Sequence, residues 1–307
     1  MRRLTAADAM LLACVLAWSL NFTVTEYALE HGFSPLSYAA PRFTIATIVF
    51  LAIGARRQTR LFAIPRRDLG RIALWGMLAV STNQIGFAWS FDFASTTAIA
   101  LLFGTLPIFA GIFSQLLGIE RLGSWRWVAA AVSFGGVALV ALGASGEVST
   151  GPGGILLALY APATFALYSI ALAPYVREHG TYRVNAVLSL ACLPVLLAAA
   201  APELARTDWG AVEPLSFACL LYSAVVAYAF TNLVWFLAVS RVGAARAAVY
   251  ANLQPFFGAI FAVLLLSEPM APLQWVGGVA IAGGIVISRL RPRARSDEIE
   301  VEAAPHE

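Results

Sequence analysis

Ten apolar runs, each about as long as a bilayer is thick, leave this chain few folds to choose from. They cover residues 9–29, 35–54, 71–91, 96–118, 125–143, 153–176, 184–201, 215–239, 245–266 and 273–289. A helix that crosses a bilayer needs about 20 mostly apolar residues. The runs are solidly apolar rather than alternating, which selects helices over a β-barrel. Connections are short apart from 55–70 and 202–214, and the turns at 92–95 and 241–243 separate the most closely joined runs. Charged residues make up 12% of the chain, about half of the roughly 25% typical of soluble domains. A soluble enzyme, a nucleic-acid binder and a secreted disulfide scaffold are thereby excluded, and an all-α integral membrane protein is expected. Arg2 and Arg3 before an apolar run could begin a signal peptide. The run 9–29 is nearly a full span, however, holds Trp18, Asn21 and Glu26, and has no small-x-small cleavage site. It reads as a retained first helix.

Orientation follows from the cations, all of which are arginine. With the N-terminus in the cytoplasm, eighteen of the 20 basic residues fall on the cytoplasmic side, Arg206 alone falls outside, and Arg42 lies within a span. This bias is the positive-inside pattern. It predicts ten transmembrane helices with both termini cytoplasmic. Residues 296–307 turn acidic, and 290–307 read as a disordered cytoplasmic tail. Cys14, Cys192 and Cys219 all lie in apolar runs without disulfide or metal spacing, and read as buried small hydrophobes.

The chain also repeats itself. Pro107 precedes Glu120 by the same 13 residues that separate Pro255 from Glu268. An offset of 148 superposes both pairs, together with Trp127 on Trp275 and Gly135-Gly136 on Gly283-Gly284. The same offset places Gln84 on Asn232 and Ala100 on Ala248. Each copy holds five helices, an odd number, so the second enters the membrane from the opposite side. Segments 8–143 and 153–289 are therefore expected to be inverted five-helix repeats, an arrangement found in secondary transporters with a midplane site.

These marks resemble the EamA-type transporters of the drug/metabolite transporter superfamily. The resemblance is carried by Trp18-Ser19-x-Asn21-Phe22, Ser34-Pro35, Arg42-Phe43, Ala94-Ser95 and the paired Pro-x(12)-Glu-x(6)-Trp-x(7)-Gly-Gly. It covers about residues 8–288. It implies ten helices, a central cavity for small polar or amphipathic metabolites, and commonly export.

Polar groups at membrane depth face the protein interior, because an amide turned to lipid is costly. The candidate substrate-binding residues are Trp18, Asn21, Arg42, Asn83, Gln84, Trp89, Tyr168, Asn232, Trp235, Tyr250 and Asn252, with Thr231 and Gln254 nearby. Glu26 is placed to neutralise Arg42; the alternatives for Arg42 are a substrate carboxylate, the outer vestibule, or snorkelling to headgroups. Pro107 and Pro255 fall mid-span, where each removes an N–H and bends its helix, so they are candidates for a gate. Glu120 and Glu268, at helix ends, are read as caps or connectors for the helix that follows. The glycines of helices 5 and 10 are read as packing positions.

No phosphate-cradling Lys loop is possible without lysine, no His/Cys/carboxylate cluster is apparent along the chain, and no cofactor or metal is expected. Small four-helix multidrug relatives carry a Glu in the middle of helix 1. Here that stretch, 16–21, holds no acid, which counts against proton-coupled efflux of cations. The expected function is a secondary transporter, an exporter of a small organic metabolite such as an amino acid, acting as a monomer or weak oligomer in a bacterial plasma membrane. A drug or sugar-nucleotide carrier and a non-transporting receptor or structural protein are the alternatives.

Overall fold

The computed structural model describes residues 6–56, 62–118, 124–143, 152–242, 250, 253–267 and 270–289, and these residues are helical wherever they are regular. The N-terminal half begins with α1 (Ala6–Glu30), α2 (Pro35–Arg56) and α3 (Arg66–Trp75). A π-helical segment, Gly76–Val80, joins α3 to α4 (Ser81–Ser90). Next come α5 (Thr96–Leu102), a 3₁₀ turn, α6 (Leu106–Leu116) and α7 (Ser124–Gly143). The second half runs through α8 (Pro152–His179), α9 (Thr181–Arg206) and α10 (Pro214–Tyr222). A second π segment, Ser223–Phe230, leads to α11 (Thr231–Val242); α12 (Gln254–Leu265) and α13 (Pro272–Arg289) follow.

Among the described residues, five helices are long and apolar enough to cross a membrane, and α5 with α6 forms a sixth candidate bent by 41°. Apolarity points outward. Ile48, Leu78, Leu116, Leu156, Leu264 and Val279 are all more than half exposed, a surface that water would not tolerate over so wide an area. Polarity points inward, with Arg42, Asn83, Gln84, Asn185 and many hydroxyls buried. Several hydroxyls bond back within their own helices: Thr44 Oγ1 donates to the Ala40 carbonyl at 2.9 Å and Thr47 Oγ1 to the Phe43 carbonyl at 2.7 Å.

The 148-residue offset holds in the backbone. It carries Gly76–Val80 onto 224–228, inside the second π segment, and the first residues of α6 and α7 onto those of α12 and α13. Pro107 stands mid-span, where Thr96–Thr105 and Ile108–Leu116 meet at 41°, and both Pro107 and Pro255 occupy the first turn of a helix rather than its interior. A missing N–H costs nothing there, since the first-turn donors have no partner within the helix.

The two halves join most closely at α7 and α13. A Cβ added at Gly136 would lie 2.7 Å from the Gly277 carbonyl oxygen and 2.8 Å from the Ile281 nitrogen. Ser133 Oγ donates to the Ile281 carbonyl at 3.4 Å, and these two residues are repeat mates. Repeat mates thus meet where α7 packs on α13. Small residues are what let two helix backbones approach so closely.

At one end of the bundle the α1–α2 turn is sealed against the second half. Ala28, Phe33, Tyr38, Val212 and Leu220 form a buried cluster. Phe33 meets Tyr38, Trp209 and Phe217 edge-on. Tyr27 Oη donates to Glu213 at 3.0 Å, and Ser216 Oγ to the His31 carbonyl at 3.1 Å. Gly32 makes the turn with φ +114°, and a Cβ there would strike the Val212 backbone at 2.7 Å. Glu203 of α9 caps α2, its Oε2 accepting from the amides of Leu36 at 2.8 Å and Ser37 at 3.3 Å.

Candidate functional site

A cavity of about 270 Å³ lies between the halves. Repeat mates face each other across it: Gln84 and Asn232, Phe87 and Trp235, Asn21 and Ser169, Leu106 and Gln254 all line it. The lining reaches Val176 and Val184, which flank the α8–α9 turn at Gly180, the end opposite the sealed one.

Of the residues expected to bind substrate, Trp18, Asn21, Arg42, Asn83, Gln84, Tyr168, Asn232 and Trp235 are brought together in this cavity. Trp89 is not among them; it is 40% exposed, one helical face away from Gln84 and Phe87. Tyr250 packs beside the cavity, against the cluster of Leu11 and Ala238. Asn252, Glu120, Glu268 and the tail 290–307 lie outside the described residues, and nothing is described for the Pro107 side chain.

The π segments shape the site. Widening a helix by one residue per turn frees carbonyls from their regular partners and recurs at functional sites. Here side chains also donate to carbonyls of these segments. The Ala227 carbonyl receives Trp18 Nε1 at 2.9 Å and Thr231 Oγ1 at 2.7 Å, and the Tyr228 carbonyl receives Asn232 Nδ2 at 2.7 Å. Ser81 Oγ donates five residues back to the Gly76 carbonyl at 3.0 Å in the other segment. The first π segment delivers Asn83 and Gln84 to the cavity, and the second delivers Ser223, Ala227 and Tyr228. Trp18 also meets Trp235 with ring centroids 5.0 Å apart.

Arg42 is 5% exposed. It does not pair with Glu26. Its Nη2 donates to Gln84 Oε1, its Nη1 reaches Ser223 Oγ at 3.4 Å, and the rings of Tyr38, Phe43 and Phe87 lie within 6 Å. Gln84 is held in turn: its Nε2 donates to Asn83 Oδ1 at 2.7 Å, and Asn83 Nδ2 donates to the Ala161 carbonyl at 2.7 Å and to Thr164 Oγ1 at 2.8 Å. Two buried polar atoms of lining residues, Arg42 Nε and Asn21 Oδ1, have no hydrogen-bond partner among the described residues.

Sequence reading passed over Ser223, Tyr228, Asn185, Ser169 and the Phe rings of the lining. Ser169 was findable, as the repeat mate of Asn21. Asn185 sat at the edge of an apolar run, and a lone Ser or Phe in a span carries no signal. The fold also assembles a group that chain spacing hides. Ligand atoms of Asp68, Glu178 and His179 lie within 4.8 Å of one another near the α8–α9 turn. These are metal-ligating types, so the expectation that no such cluster exists is corrected. His179 Nε2 and Asp68 Oδ2 are 3.1 Å apart and tie α8 to α3.

The EamA-like transporter family model matches residues 5–142 and again 152–290. This chain belongs to that family. An EamA-type transporter is a multi-pass integral membrane protein that moves small molecules, and the apolar exterior and polar interior agree with that placement. Similar proteins include the uncharacterized transporter YdfC of Bacillus subtilis, 26% identical over 89% of this chain and 88% of its own. The uncharacterized inner membrane transporter YedA of Escherichia coli K12 is 27% identical over 94% and 92%. A probable terminal-alkyne amino-acid exporter of Streptantibioticus cattleyicolor is 26% identical over 94% and 95%. One solved crystal structure matches this transporter's fold with a TM-score of 0.64, covering 93% of this chain and 96% of its own at 18% identity.

Proposed function

We propose that this transporter is a secondary carrier that exports a small organic metabolite, such as an amino acid or a related compound, by alternating access. The observation that carries the reading is the cavity itself. It sits where repeat mates meet, it is lined by amides, aromatic rings and one cation, and polar atoms of its lining lack partners among the described residues. The reading includes ten crossings in two inverted halves, with both termini in the cytoplasm of a bacterial plasma membrane; the arginine distribution supports that orientation. On this topology the α8–α9 turn is cytoplasmic, so the cavity faces the interior and the α1–α2 end is the closed outer gate. The amino-acid exporter among the relatives supports the solute class. A sugar-nucleotide carrier would need clustered cations, and Arg42 is the cation among the described lining residues.

The test is counterflow of radiolabelled amino acids and their derivatives into liposomes holding the purified protein. Saturable flux above protein-free liposomes is expected. A folded protein that carries none of them would leave the receptor or structural reading standing instead.

A further inference from the structure

We infer that Arg42 is the receptor for a carboxylate of the cargo, positioned by the Asn83–Gln84 pair, and that the cavity prefers a monoanion with an apolar body to a zwitterion of the same shape. The inference rests on the transport reading above and narrows its solute class from amino acids to related carboxylates that lack the α-ammonium.

Three observations carry it. First, the guanidinium is buried, yet every partner it has among the described residues is neutral: an amide oxygen, a hydroxyl at 3.4 Å and three rings. Dipoles and rings soften a buried charge without cancelling it, and a charge at membrane depth is expensive unless paired. Second, Arg42 Nε has no acceptor among the described residues, and Asn21 Oδ1, lining the same cavity, likewise has no donor among them. Third, no aspartate or glutamate is among the described residues that line the cavity. The missing counter-charge is therefore supplied from the cavity side. A carboxylate matches the planar donor fork of arginine and brings the single negative charge that the site lacks.

The amide chain explains why Arg42 is held ready for it. Thr164 and the Ala161 carbonyl anchor Asn83, Asn83 Oδ1 receives the Gln84 amide nitrogen, and Gln84 Oε1 is thereby turned toward the guanidinium. Gln84 and Asn83 are positioning residues. The rest of the wall, including Trp18, Phe22, Phe87, Phe165 and Trp235, suits an apolar body. An α-ammonium would lie two bonds from the bound carboxyl carbon, close to the guanidinium, in a low-dielectric space with no acid to receive it. Like charges repel strongly there.

The experiment is equilibrium binding of three matched probes to the purified full-length protein in chloride-free medium: 3-phenylpropanoate, phenylalanine and 3-phenylpropanamide. The acid is expected to bind about tenfold more tightly than phenylalanine and about 10- to 100-fold more tightly than the amide. Arg42→Gln is expected to bring acid and amide to equal affinity. Arg42→Lys, which keeps the charge and loses the fork, is expected to preserve the ranking with a smaller gap. If Arg42→Gln does not fold, the wild-type ranking and Arg42→Lys decide. Phenylalanine or the amide binding wild type as tightly as the acid overturns the inference. So does chloride that displaces the acid at comparable concentration, since the site would then take an inorganic anion. A protein that fails the ranking yet carries organic solutes in liposomes refutes this assignment alone, and one that binds none of the probes and carries nothing refutes the transport reading with it.

Discussion

Gln84 and Asn232 hold the same repeat position and line the same cavity, yet their hydrogen bonds differ. Gln84 is spent on Arg42 and Asn83, whereas Asn232 donates to its own helix at the Tyr228 carbonyl. Replacing Gln84 by Leu strips a buried cation of its amide acceptor. A lost hydrogen bond to a charged group is worth more than one between neutral groups. Gln84→Leu is therefore expected to weaken apparent substrate affinity about 100-fold and Asn232→Leu about 5-fold. Both proteins should still insert and remain monodisperse, because Leu is well tolerated in a membrane helix. Competition binding with size-exclusion profiles checks both statements. Equal and unchanged affinities would place the site away from the repeat axis.

Among elements, the paired glycines of α7 make opposite predictions at adjacent positions. A side chain at Gly136 runs into the backbone of α13, whereas one at Gly135 meets nothing within 4 Å. Gly136→Leu is expected to destabilise by about 1–3 kcal/mol, the usual cost of overpacking, and Gly135→Leu to have little effect. Thermal unfolding of the detergent-solubilised protein distinguishes them. The starts of α6 and α12 give another test. Pro107 and Pro255 each stand in the first turn of a helix, and the α5–α6 pair is bent by 41°. Alanine restores an N–H and lets the helix run through. Pro107→Ala and Pro255→Ala are expected to lower the maximal transport rate several-fold while moving apparent affinity less than twofold, as read from concentration-dependent counterflow.

The whole molecule has one end sealed by aromatic packing and hydrogen bonds and a cavity whose lining reaches the other. The proposed orientation is tested by single cysteines in a background lacking Cys14, Cys192 and Cys219. Cysteines at Glu147 and Asp208 are expected to react with an impermeant thiol reagent added outside intact cells, and one at Gln58 to react only after the membrane is opened. Outside labelling at Gln58 would reverse the topology, and with it the statement that the cavity faces the cytoplasm.

Helical membrane character, the 148-residue repeat, the family and most of the polar cavity wall were all legible in the sequence. Each rests on a rule that acts locally: apolar runs must bury their backbone in helices, arginines stay inside, and amides at membrane depth turn inward. The partner of Arg42 was not legible. Glu26 is nearer along the chain, but Gln84 and Ser223 are the groups that reach it, one from each half. The π segments were also hidden, since neither Gly76–Val80 nor Ser223–Phe230 differs in composition from the helices around it. The meeting of Asp68 with His179, and of Gly136 with Gly277, likewise followed only from the packing. Which residues touch across a bundle depends on the rotation and depth of each helix. Those are set by the summed contacts of all its neighbours, a quantity that no single stretch of chain contains.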